Sequence, residues 1–594
     1  MTDARRLSLL LGLGCISALL YEWLDTSIPL LSLSESSHVS QVVPWAGSAS
    51  EPLSNEAPIM AISASALHFT LGLLGLAASY RAVLALLKGS AQASMTAAVF
   101  AFGALFQIQQ LDAPSLLSSD AFSYLMYGRI AAIHGDNPYA ILPSAFPGDP
   151  VLPYVYWDNV PSFYGPIWTL ISMLPATLGG ESVGLGILAI RVTAALAALG
   201  SGALIWLILR ERGQATATTG AALWLWNPLL PLESGLSGHN DATLVVCILG
   251  AVYCMKQGCL FRAGGFWIAA AYIKIVGLLL LPVAMVLWLR YRSGRRQRAI
   301  SALRVVAGVA VVTLAVIGLG RWPTDGSGVG ALGTDTTRYT NSLQEVLLGG
   351  LRVALGESPD DTRTPLHFQT RLAQSQAPLG LWSASGGTRK LLAMTEPGQP
   401  LLIVAPEEQS WTRVYVPSTR LIGYVQAERI AADPTGVVNA ELLDEWQRRG
   451  QLTLGNRILR GAGMIAFAVL LVVLLYGCWQ RRDAAQIMNG IFLAFLGTMA
   501  SWVWPWYLMW PLAFSAISPG SRTVRLTVLL SLSSLLLYPL FGFQGTDLWW
   551  AFNYRALAVW VVPLLVLGVL EVLLIRRWDP SSSRPKLTQV PLGR

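Results

Sequence analysis

Long apolar runs make up most of the chain, and short polar loops separate them. Runs long enough to cross about 30 Å of hydrocarbon lie near residues 7–24, 61–88, 93–111, 191–210, 214–232, 241–256, 262–290, 299–320, 459–479, 485–518, 523–542 and 555–576. This pattern predicts an all-α polytopic membrane protein whose first helix is retained and not cleaved as a signal peptide.

Basic residues in the loops predict how these helices are oriented. They cluster at Arg5/Arg6, Arg81/Lys88, Arg210/Arg212, Arg290–Arg298, Arg481/Arg482, Arg522/Arg525 and Arg576/Arg577. Cytoplasmic loops are enriched in Lys and Arg, so these positions and both termini are expected to be cytoplasmic. The net charge of +8 then reflects orientation in the bilayer and not binding to nucleic acid. Only 12% of the residues are charged, against about 25% in soluble proteins.

Three runs need a local interpretation if the basic loops are to stay on one side. The segment Pro166–Leu178 is short and is expected to lie along the outer interface. The run 262–290 is expected to turn near Lys274, as a pair of short helices, and the run 485–518 to break at Pro505. With these choices the chain makes about 14 crossings.

The remaining long segments, residues 25–60, 112–190 and 321–457, are expected outside. The predicted division is a membrane domain over 1–320, an extracytoplasmic insertion over 321–457, a second membrane part over 458–578 and a cytoplasmic tail over 579–594. Within the insertion, apolar and polar residues alternate as in β-strands. The strands predicted there are Leu401–Ala405, Thr412–Pro417 and Leu421–Gln426.

Residues 388–432 resemble a bacterial SH3-like domain, a small β-barrel. The resemblance depends on a Pro-Gly-Gln turn followed by a W-x-x-V strand and a G-W-V-like strand. The matching residues are Trp411, Val414, Gly423, Tyr424 and Val425. The resemblance implies a module that binds a cell-wall or peptide ligand, and a folded spacer is the equal alternative.

The outer loop 112–165 carries the first candidate site residues. Asp120 precedes a predicted helix over Ala121–Ile133 and is either a catalytic acid or base or the helix N-cap. Tyr124 and Tyr127 share a face of that helix, which also carries Arg129. The alternative for these tyrosines is an aromatic belt at the membrane interface.

Two further clusters are expected on the same outer side. Glu233, His239, Asn240 and Asp241 lie between two spans and are either a polar site or simply solvated. The segment Trp504–Tyr507 is either part of a site or an interface anchor.

Lys274 lies inside an apolar run. A Lys there is expensive unless it meets an anion or a polar cavity, or reaches the surface along its own stem. Its place at the predicted helix break favours a cavity.

The order of these clusters resembles the GT-C superfamily of membrane glycosyltransferases, in particular bacterial polyprenyl-phosphomannose-dependent mannosyltransferases. The features that carry the resemblance, in chain order, are Asp120, Tyr124 to Arg129, Asn137-Pro138-Tyr139, Tyr164-Gly165-Pro166, Arg191, Asn227-Pro228-Leu229, His239-Asn240-Asp241, Lys274, Leu281-Pro282 and Trp504 to Tyr507. The sequence departs from the family in three ways. Ala121 follows Asp120 where family members often have a second acid, two spans lie between the first helix and the loop that contains Asp120, and the SH3-like insertion is not general in the family.

The resemblance implies transfer of a sugar, mannose first, from a polyprenyl-phosphate donor to an extracytoplasmic glycan or lipid-linked acceptor. Asp120 would be the base of a single, inverting displacement. The residues expected to bind the donor phosphate are Arg129, Arg191, His239 and Lys274. Those expected to bind substrate are Tyr124, Tyr127, Asn240, Asp241, Trp504, Trp506 and Tyr507. The sequence leaves metal binding undecided: no cofactor is assigned, and a divalent cation stays open.

Two other functions compete with this one. A lipid-linked sugar flippase would also place cations inside a bundle, but it has no need of an acid on a short outer helix. A cell-envelope scaffold would use the inserted module and leave the polar clusters without a shared purpose. The expected location is the bacterial cytoplasmic membrane, with the active site on the extracytoplasmic face.

Overall fold

The structure is a computed structural model and is predominantly helical. It describes residues 2–28, 59–89, 91–113, 116–158, 161–290, 294–320, 341–355, 372–375, 377–382, 391–408, 410–416, 421–432, 454–519, 522–541, 543 and 555–576. The helices are α1 (Asp3–Asp25), α2 (Ile59–Leu86), α3 (Ala93–Asp112), α4 (Asp120–Ala132), α5 (Pro166–Gly179), α6 (Val183–Leu209), α7 (Gln214–Leu225), α8 (Asp241–Lys256), α9 (Leu260–Ile273), α10 (Leu281–Arg290), α11 (Arg295–Gly320), α12 (Leu343–Leu355), α13 (Leu454–Trp479), α14 (Ala484–Thr498), α15 (Met509–Ile517), α16 (Arg522–Ser534), α17 (Leu537–Phe541) and α18 (Arg555–Arg576).

Six of the described segments are helical, long and apolar enough to cross a membrane. They are Asp3–Asp25, Ser63–Leu86, Val183–Arg212, Arg296–Gly320, Ile458–Trp479 and Thr523–Phe541. Several other apolar helices have only 10–17 residues. At 1.5 Å per residue such helices reach at most about 26 Å, which is short of the roughly 30 Å of hydrocarbon. The sequence estimate of about 14 crossings is therefore not confirmed.

The two predicted helix breaks are confirmed. Helix α9 ends at Ile273, and Lys274 is extended, with φ −153° and ψ 127°. A 3₁₀ turn over Ile275–Leu280 then leads into α10. Helix α14 ends at Thr498, and the chain becomes helical again at Pro505. Because a broken helix leaves backbone and side chains free to face inward, both breaks are suitable places for polar groups.

Helix α4 lies against α5 at close range. Gly128 of α4 faces the backbone of Ser172 on α5, and a Cβ at this position would overlap the Ser172 carbonyl oxygen. Residues Ala121 to Ile130 of α4 are all buried. The close contact therefore fixes a short helix deep inside the protein, with Asp120 at its first position.

The insertion contains a seven-stranded antiparallel sheet. The strands are β1 (Leu372–Ser375), β2 (Leu379–Trp382), β3 (Leu391–Thr395), β4 (Pro400–Glu408), β5 (Trp411–Val416), β6 (Leu421–Gln426) and β7 (Ile430–Ala432), in the spatial order β3-β2-β6-β5-β4-β1-β7. The core of the sheet consists of Leu379, Leu381, Leu401, Val414, Val416 and Val425.

The sheet agrees with the predicted strands and corrects the predicted module. The three expected strands are present as β4, β5 and β6, although Pro417 lies outside the described residues. The predicted start at residue 388 is wrong, because β1 and β2 precede it and supply the core residues Leu379 and Leu381. An SH3-like barrel is not confirmed.

Helix α12, at the beginning of the insertion, was not predicted. It packs against α13 and α18. Arg555 of α18 donates to the Asn341 side chain (2.7 Å) and to Glu345 (3.2 Å). Trp560 donates to the Asn341 carbonyl oxygen at 2.8 Å. The first described residues of the insertion, Asn341 to Leu355, therefore contact the helical part of the protein, and the domain boundary at residue 321 stays a prediction.

The orientation of α6 provides a direct test of the topology. Glu181 precedes this helix and Gln214 follows it, and both side chains are exposed. In a background without the native cysteines, Glu181→Cys in intact cells should react with a membrane-impermeant maleimide, whereas Gln214→Cys should react only after lysis. The opposite labelling would reverse the predicted orientation.

Candidate active site

Four segments that are distant in the chain meet at one buried group of polar residues. The segments are the start of α4, the stretch before α8, the break between α9 and α10, and the region where α15 begins. We call the group the polar centre; its members are Asp120, Glu233, His239, Asp241 and Lys274.

Asp120 is the most accessible acid of the polar centre, with 20% of its side chain exposed. The N-cap of α4 is Ser119, and Asp120 is the first helical residue. The expected N-cap role of Asp120 is therefore wrong. Its Oδ2 lies 3.9 Å from Nε2 of His239. Burial raises the pKa of Asp120, while interactions with His239 and Lys274 and a hydrogen bond with Trp157 partly oppose this.

The stretch from Glu233 to Asp241 lies between α7 and α8, outside the six candidate spans. It begins with a π-helical turn over Pro231–Leu236 and then leads into α8. Glu233, His239, Asn240 and Asp241 are all fully buried, so the alternative of a solvated loop is wrong. Burial lowers the pKa of His239 to about 4 and raises that of Glu233 to about 8.

Lys274 is paired with Asp241. Its Nζ donates to both carboxylate oxygens, at 2.9 and 3.0 Å, and Trp510 Nε1 donates to the same carboxylate at 2.6 Å. The ammonium group also lies 4.6 Å from the centre of the Tyr507 ring, a cation–π distance. Lys274 thus meets an anion and an aromatic ring, which is one of the alternatives that the sequence left open.

The loop after α4 is joined to the Lys274 break through Gly165. Its amide donates to the Ile273 carbonyl oxygen at 3.2 Å. A Cβ at Gly165 would overlap the carbonyl oxygen of Tyr272. Only glycine allows this approach, which places Tyr164 next to the polar centre.

Aromatic rings enclose the centre. Trp506 stacks on the His239 ring at 3.7 Å between centroids, and Trp504 stacks on Trp506 at 5.1 Å. Tyr124 meets Tyr164 edge to face at 4.7 Å. Since Tyr124 and Trp506 are at most 4% exposed, interface anchoring does not describe them.

Tyr127 is also buried and lies near Tyr164, with 6.0 Å between ring centroids. Tyr507 is only partly buried and stacks on Trp510 at 4.6 Å. The predicted aromatic residues therefore line the polar centre on the α4 side and on the α15 side.

Two of the predicted phosphate ligands have other partners. Arg129 donates through Nε to Asp149 at 2.8 and 2.9 Å, and it also contacts the Gly180 carbonyl oxygen. Arg191 donates to the Gly235 carbonyl oxygen at 2.9 Å. These bonds hold the loop after α4 and the π-helical turn in place, so the structure gives both arginines a structural role.

Several buried polar atoms near Asp120 lack a hydrogen-bond partner among the described residues. Asn240 has neither its amide nitrogen nor its oxygen paired, and the same holds for the Tyr164 hydroxyl, the Ser123 hydroxyl and the Trp168 indole nitrogen. An unpaired buried polar group costs about 1–3 kcal/mol. A ligand rich in hydroxyl groups would satisfy such atoms.

Sequence reasoning missed some members of the site. Tyr538, which donates to Glu233 at 2.6 Å, was not singled out in the sequence, and Glu233 was placed in a polar cluster without a specific role. Trp157 and Trp510 were not assigned either, although Trp510 is three residues after Tyr507 in the same aromatic run. Among the described residues, no group of three or more His, Cys, Asp and Glu side chains is arranged to hold a metal ion.

The helices and the polar centre together define a membrane-embedded protein with a buried carboxylate, imidazole and ammonium site. Comparison with known families identifies it further. The model of the "Alpha-(1->6)-mannopyranosyltransferase, N-terminal domain" family matches residues 30–290, and that of the MptB C-terminal domain matches residues 445–570. The N-terminal part of the chain is therefore similar to the alpha-(1->6)-mannopyranosyltransferases, and its C-terminal part to the MptB C-terminal domain.

Individual relatives share less than 30% sequence identity with this chain. Alpha-(1->6)-mannopyranosyltransferase A of Corynebacterium glutamicum is 29% identical over 31% of this chain and 37% of its own length. An alpha-(1->6)-mannopyranosyltransferase of Mycobacterium tuberculosis is 28% identical over 26% of each chain. The alignments thus span about a third or less of these relatives.

A solved structure was also found, that of the Saccharomyces cerevisiae protein O-mannosyltransferase Pmt1-Pmt2 complex bound to the sugar donor. It is 11% identical, covers 80% of this chain and 92% of its own, and has a TM-score of 0.33. This likeness is too weak to carry an argument.

The Lys274–Asp241 pair gives a test of the site's architecture. Removing one partner of a buried pair costs about 3–5 kcal/mol, because it leaves the other charge unpaired. Lys274→Met should therefore lower the thermal unfolding midpoint of the detergent-purified protein, and the double change with Asp241→Asn should restore much of it. The matched control is Lys256→Met, which removes an exposed pair with Glu211 worth about 0–1 kcal/mol. A double variant as unstable as the single one would contradict the pairing.

Proposed function

We propose that this protein transfers a mannosyl residue from a polyprenyl-phosphate donor to a glycan or lipid-linked acceptor on the extracytoplasmic side of the bacterial cytoplasmic membrane. The observation that carries the proposal is the convergence of Asp120, His239 and the Asp241–Lys274 pair at one buried centre. Similarity to the alpha-(1->6)-mannopyranosyltransferase family models supports this class of reaction. A membrane-embedded protein also suits a donor whose polyprenyl chain lies in the bilayer.

Asp120 is the proposed general base. It removes the proton of the acceptor hydroxyl while the acceptor oxygen forms a bond to the anomeric carbon of the donor. The bond between that carbon and the phosphate oxygen breaks, and the phosphate leaves with the electron pair. Because burial raises the pKa of Asp120, its carboxylate is a stronger base than an exposed aspartate, as suits proton transfer near neutral pH.

Lys274 is the proposed partner of the departing phosphate. It is the cation of the polar centre, and one-fifth of its side chain stays exposed. Charge that develops on a leaving phosphate is stabilised by a fixed cation nearby. Asp241 and Trp510 hold Lys274 in position, whereas Arg129 and Arg191 are engaged with other groups and do not enter this proposal.

Sugar binding is assigned to the groups without partners and to the aromatic rings. The Asn240 amide has a free donor and a free acceptor in a fully buried position. The Tyr164 hydroxyl is also unpaired and lies within electrostatic reach of Asp120. Together they offer hydrogen bonds to hexose hydroxyls close to the proposed base. Trp506, next to His239, provides an apolar wall.

The role of Asp120 is tested with a radiolabelled polyprenyl-phosphomannose donor. Loss of a general base should lower turnover by about 10²–10⁴-fold. Asp120→Asn should show this loss while donor binding and folding are kept, because Asp120 does not cap α4. The matched control is Asp112→Asn, at the end of α3, which should keep near-normal turnover. Near-normal turnover of Asp120→Asn would overturn the assignment, and a parallel loss of donor binding would indicate that Asp120 positions the donor.

The stereochemistry gives a second test. A single displacement inverts the anomeric centre, and the family is named for forming alpha linkages. The donor used should therefore be the β-anomer of the polyprenyl phosphomannose, with an α-linked product seen by NMR. Use of the α-anomer to form an α-product would contradict a single displacement.

A further inference from the structure

A chain of contacts leads from Tyr538 to Asp120 through Glu233 and His239. The Tyr538 hydroxyl donates to Oε1 of Glu233 at 2.6 Å. Oε2 of the same carboxyl lies 3.0 Å from Nδ1 of His239, and Nε2 of that ring lies 3.9 Å from Oδ2 of Asp120. The three inner members of this chain, Tyr538, Glu233 and His239, are fully buried. None of the functions assigned above uses Glu233 or Tyr538.

The surroundings of Glu233 favour its neutral form. No Lys or Arg of the described chain is ion-paired with it; its neighbours are Tyr538, His239 and the acid Asp241. An unpaired buried carboxylate is costly, and a carboxyl group in such a site takes up a proton. Burial accordingly raises the pKa of Glu233 to about 8.

The direction of each proton then follows from which atoms can donate. Tyr538 gives its one hydroxyl proton to Oε1, so the proton of a neutral Glu233 is on Oε2, next to Nδ1 of His239. If Oε2 donates to Nδ1, the proton of the neutral imidazole must be on Nε2. That nitrogen faces Asp120. Every hydrogen-bond donor in this series of contacts therefore points toward Asp120.

We propose that Glu233 is a protonated positioning residue that fixes His239 as the Nε2–H tautomer, which donates a hydrogen bond to the Asp120 carboxylate. The inference rests on the proposed function of Asp120 and replaces the phosphate role that the sequence suggested for His239. Neither ring nitrogen of His239 has a hydrogen bond of normal geometry among the described residues. Catalytic hydrogen bonds are often long without substrate and shorten in the substrate complex.

The hydrogen bond has a predicted effect on pH dependence. The groups that act on Asp120 are His239, Lys274, Asp241 and Trp157, and Tyr124, Tyr127 and Tyr164 also lie within electrostatic reach. A donor to the carboxylate favours the ionised form and lowers the pKa. Loss of this donor therefore raises the pKa of Asp120. A base is active only when ionised, so the acidic limb of kcat/KM moves to higher pH.

Two substitutions at Glu233 separate this proposal from its alternatives. Glutamine resembles a protonated glutamate: its N–H can donate to Nδ1 and its carbonyl oxygen can accept from Tyr538. Glu233→Gln should keep kcat/KM within about threefold and leave the pH profile unchanged. Glu233→Leu should lower kcat/KM by about 10–100-fold, the size of loss seen when a residue that orients a functional group is removed. It should also shift the acidic limb of kcat/KM to higher pH. If Glu233→Gln loses as much activity as Glu233→Leu, Glu233 acts as an ionised group and the proposal is wrong.

Infrared difference spectroscopy tests the protonation without any activity measurement. The spectrum of the wild-type protein minus that of Glu233→Gln at neutral pH should contain the C=O stretch of a protonated carboxyl group. The matched control is Glu181→Gln, at a side chain that is 87% exposed. The wild-type spectrum minus that of Glu181→Gln should lack this band, because both proteins keep the protonated Glu233. Absence of the band from the Glu233 difference spectrum overturns the proposal even if Asp120 is the base. Its presence together with full activity of Asp120→Asn would instead overturn only the proposed role of Asp120.

Discussion

The requirement that buried charge be balanced controls the arrangement of this site. A Lys inside an apolar helical protein is strongly disfavoured unless an anion meets it, and here Asp241, from a segment 33 residues away, supplies that anion at 2.9 Å. The pairing explains why α9 ends where it does, because the extended backbone at Lys274 lets the side chain turn inward. It also explains the Trp510 indole, whose hydrogen bond satisfies a further lone pair of the carboxylate.

The site is built from the ends of short helices and not from the middle of long ones. Asp120 is at the start of a 13-residue helix, Asp241 is at the start of α8, and Lys274 follows the end of α9. Helix ends leave backbone groups unpaired and side chains free to converge. Two glycines hold these ends together: Gly128 allows α4 to lie against α5, and Gly165 allows the next loop to lie against the Lys274 break.

Much of the site, and less of the fold, followed from the sequence. Lys274 was recognisable as a charged residue inside an apolar run. Asp120, His239 and Asp241 were recognisable because their order along the chain resembles that of a known family. The sequence did not reveal the partners of Arg129 and Glu233. Asp149 and Tyr538 do not stand out in the sequence, and Tyr538 is 305 positions from Glu233. Apolar runs also do not reveal how far each helix continues, so the number of crossings estimated from them is not confirmed. The alternation in β5 and β6 predicted strands within one residue, while helix α12, in a region interpreted as loop and strands, was missed.

Charge balance also argues for a neutral Glu233. The polar centre holds one ammonium group, Lys274, and three carboxyl groups. If all three were ionised, an incoming phosphate would meet an excess of negative charge next to Asp120, and the donor would be repelled from the base that should act beside it. With Glu233 protonated, Asp241 neutralises Lys274 in the free protein and Asp120 is the remaining anion. A donor phosphate can then share the Lys274 ammonium group with Asp241, whose carboxylate also keeps the Trp510 hydrogen bond. The same neutral carboxyl group that orients His239 therefore also limits the electrostatic penalty of binding the donor.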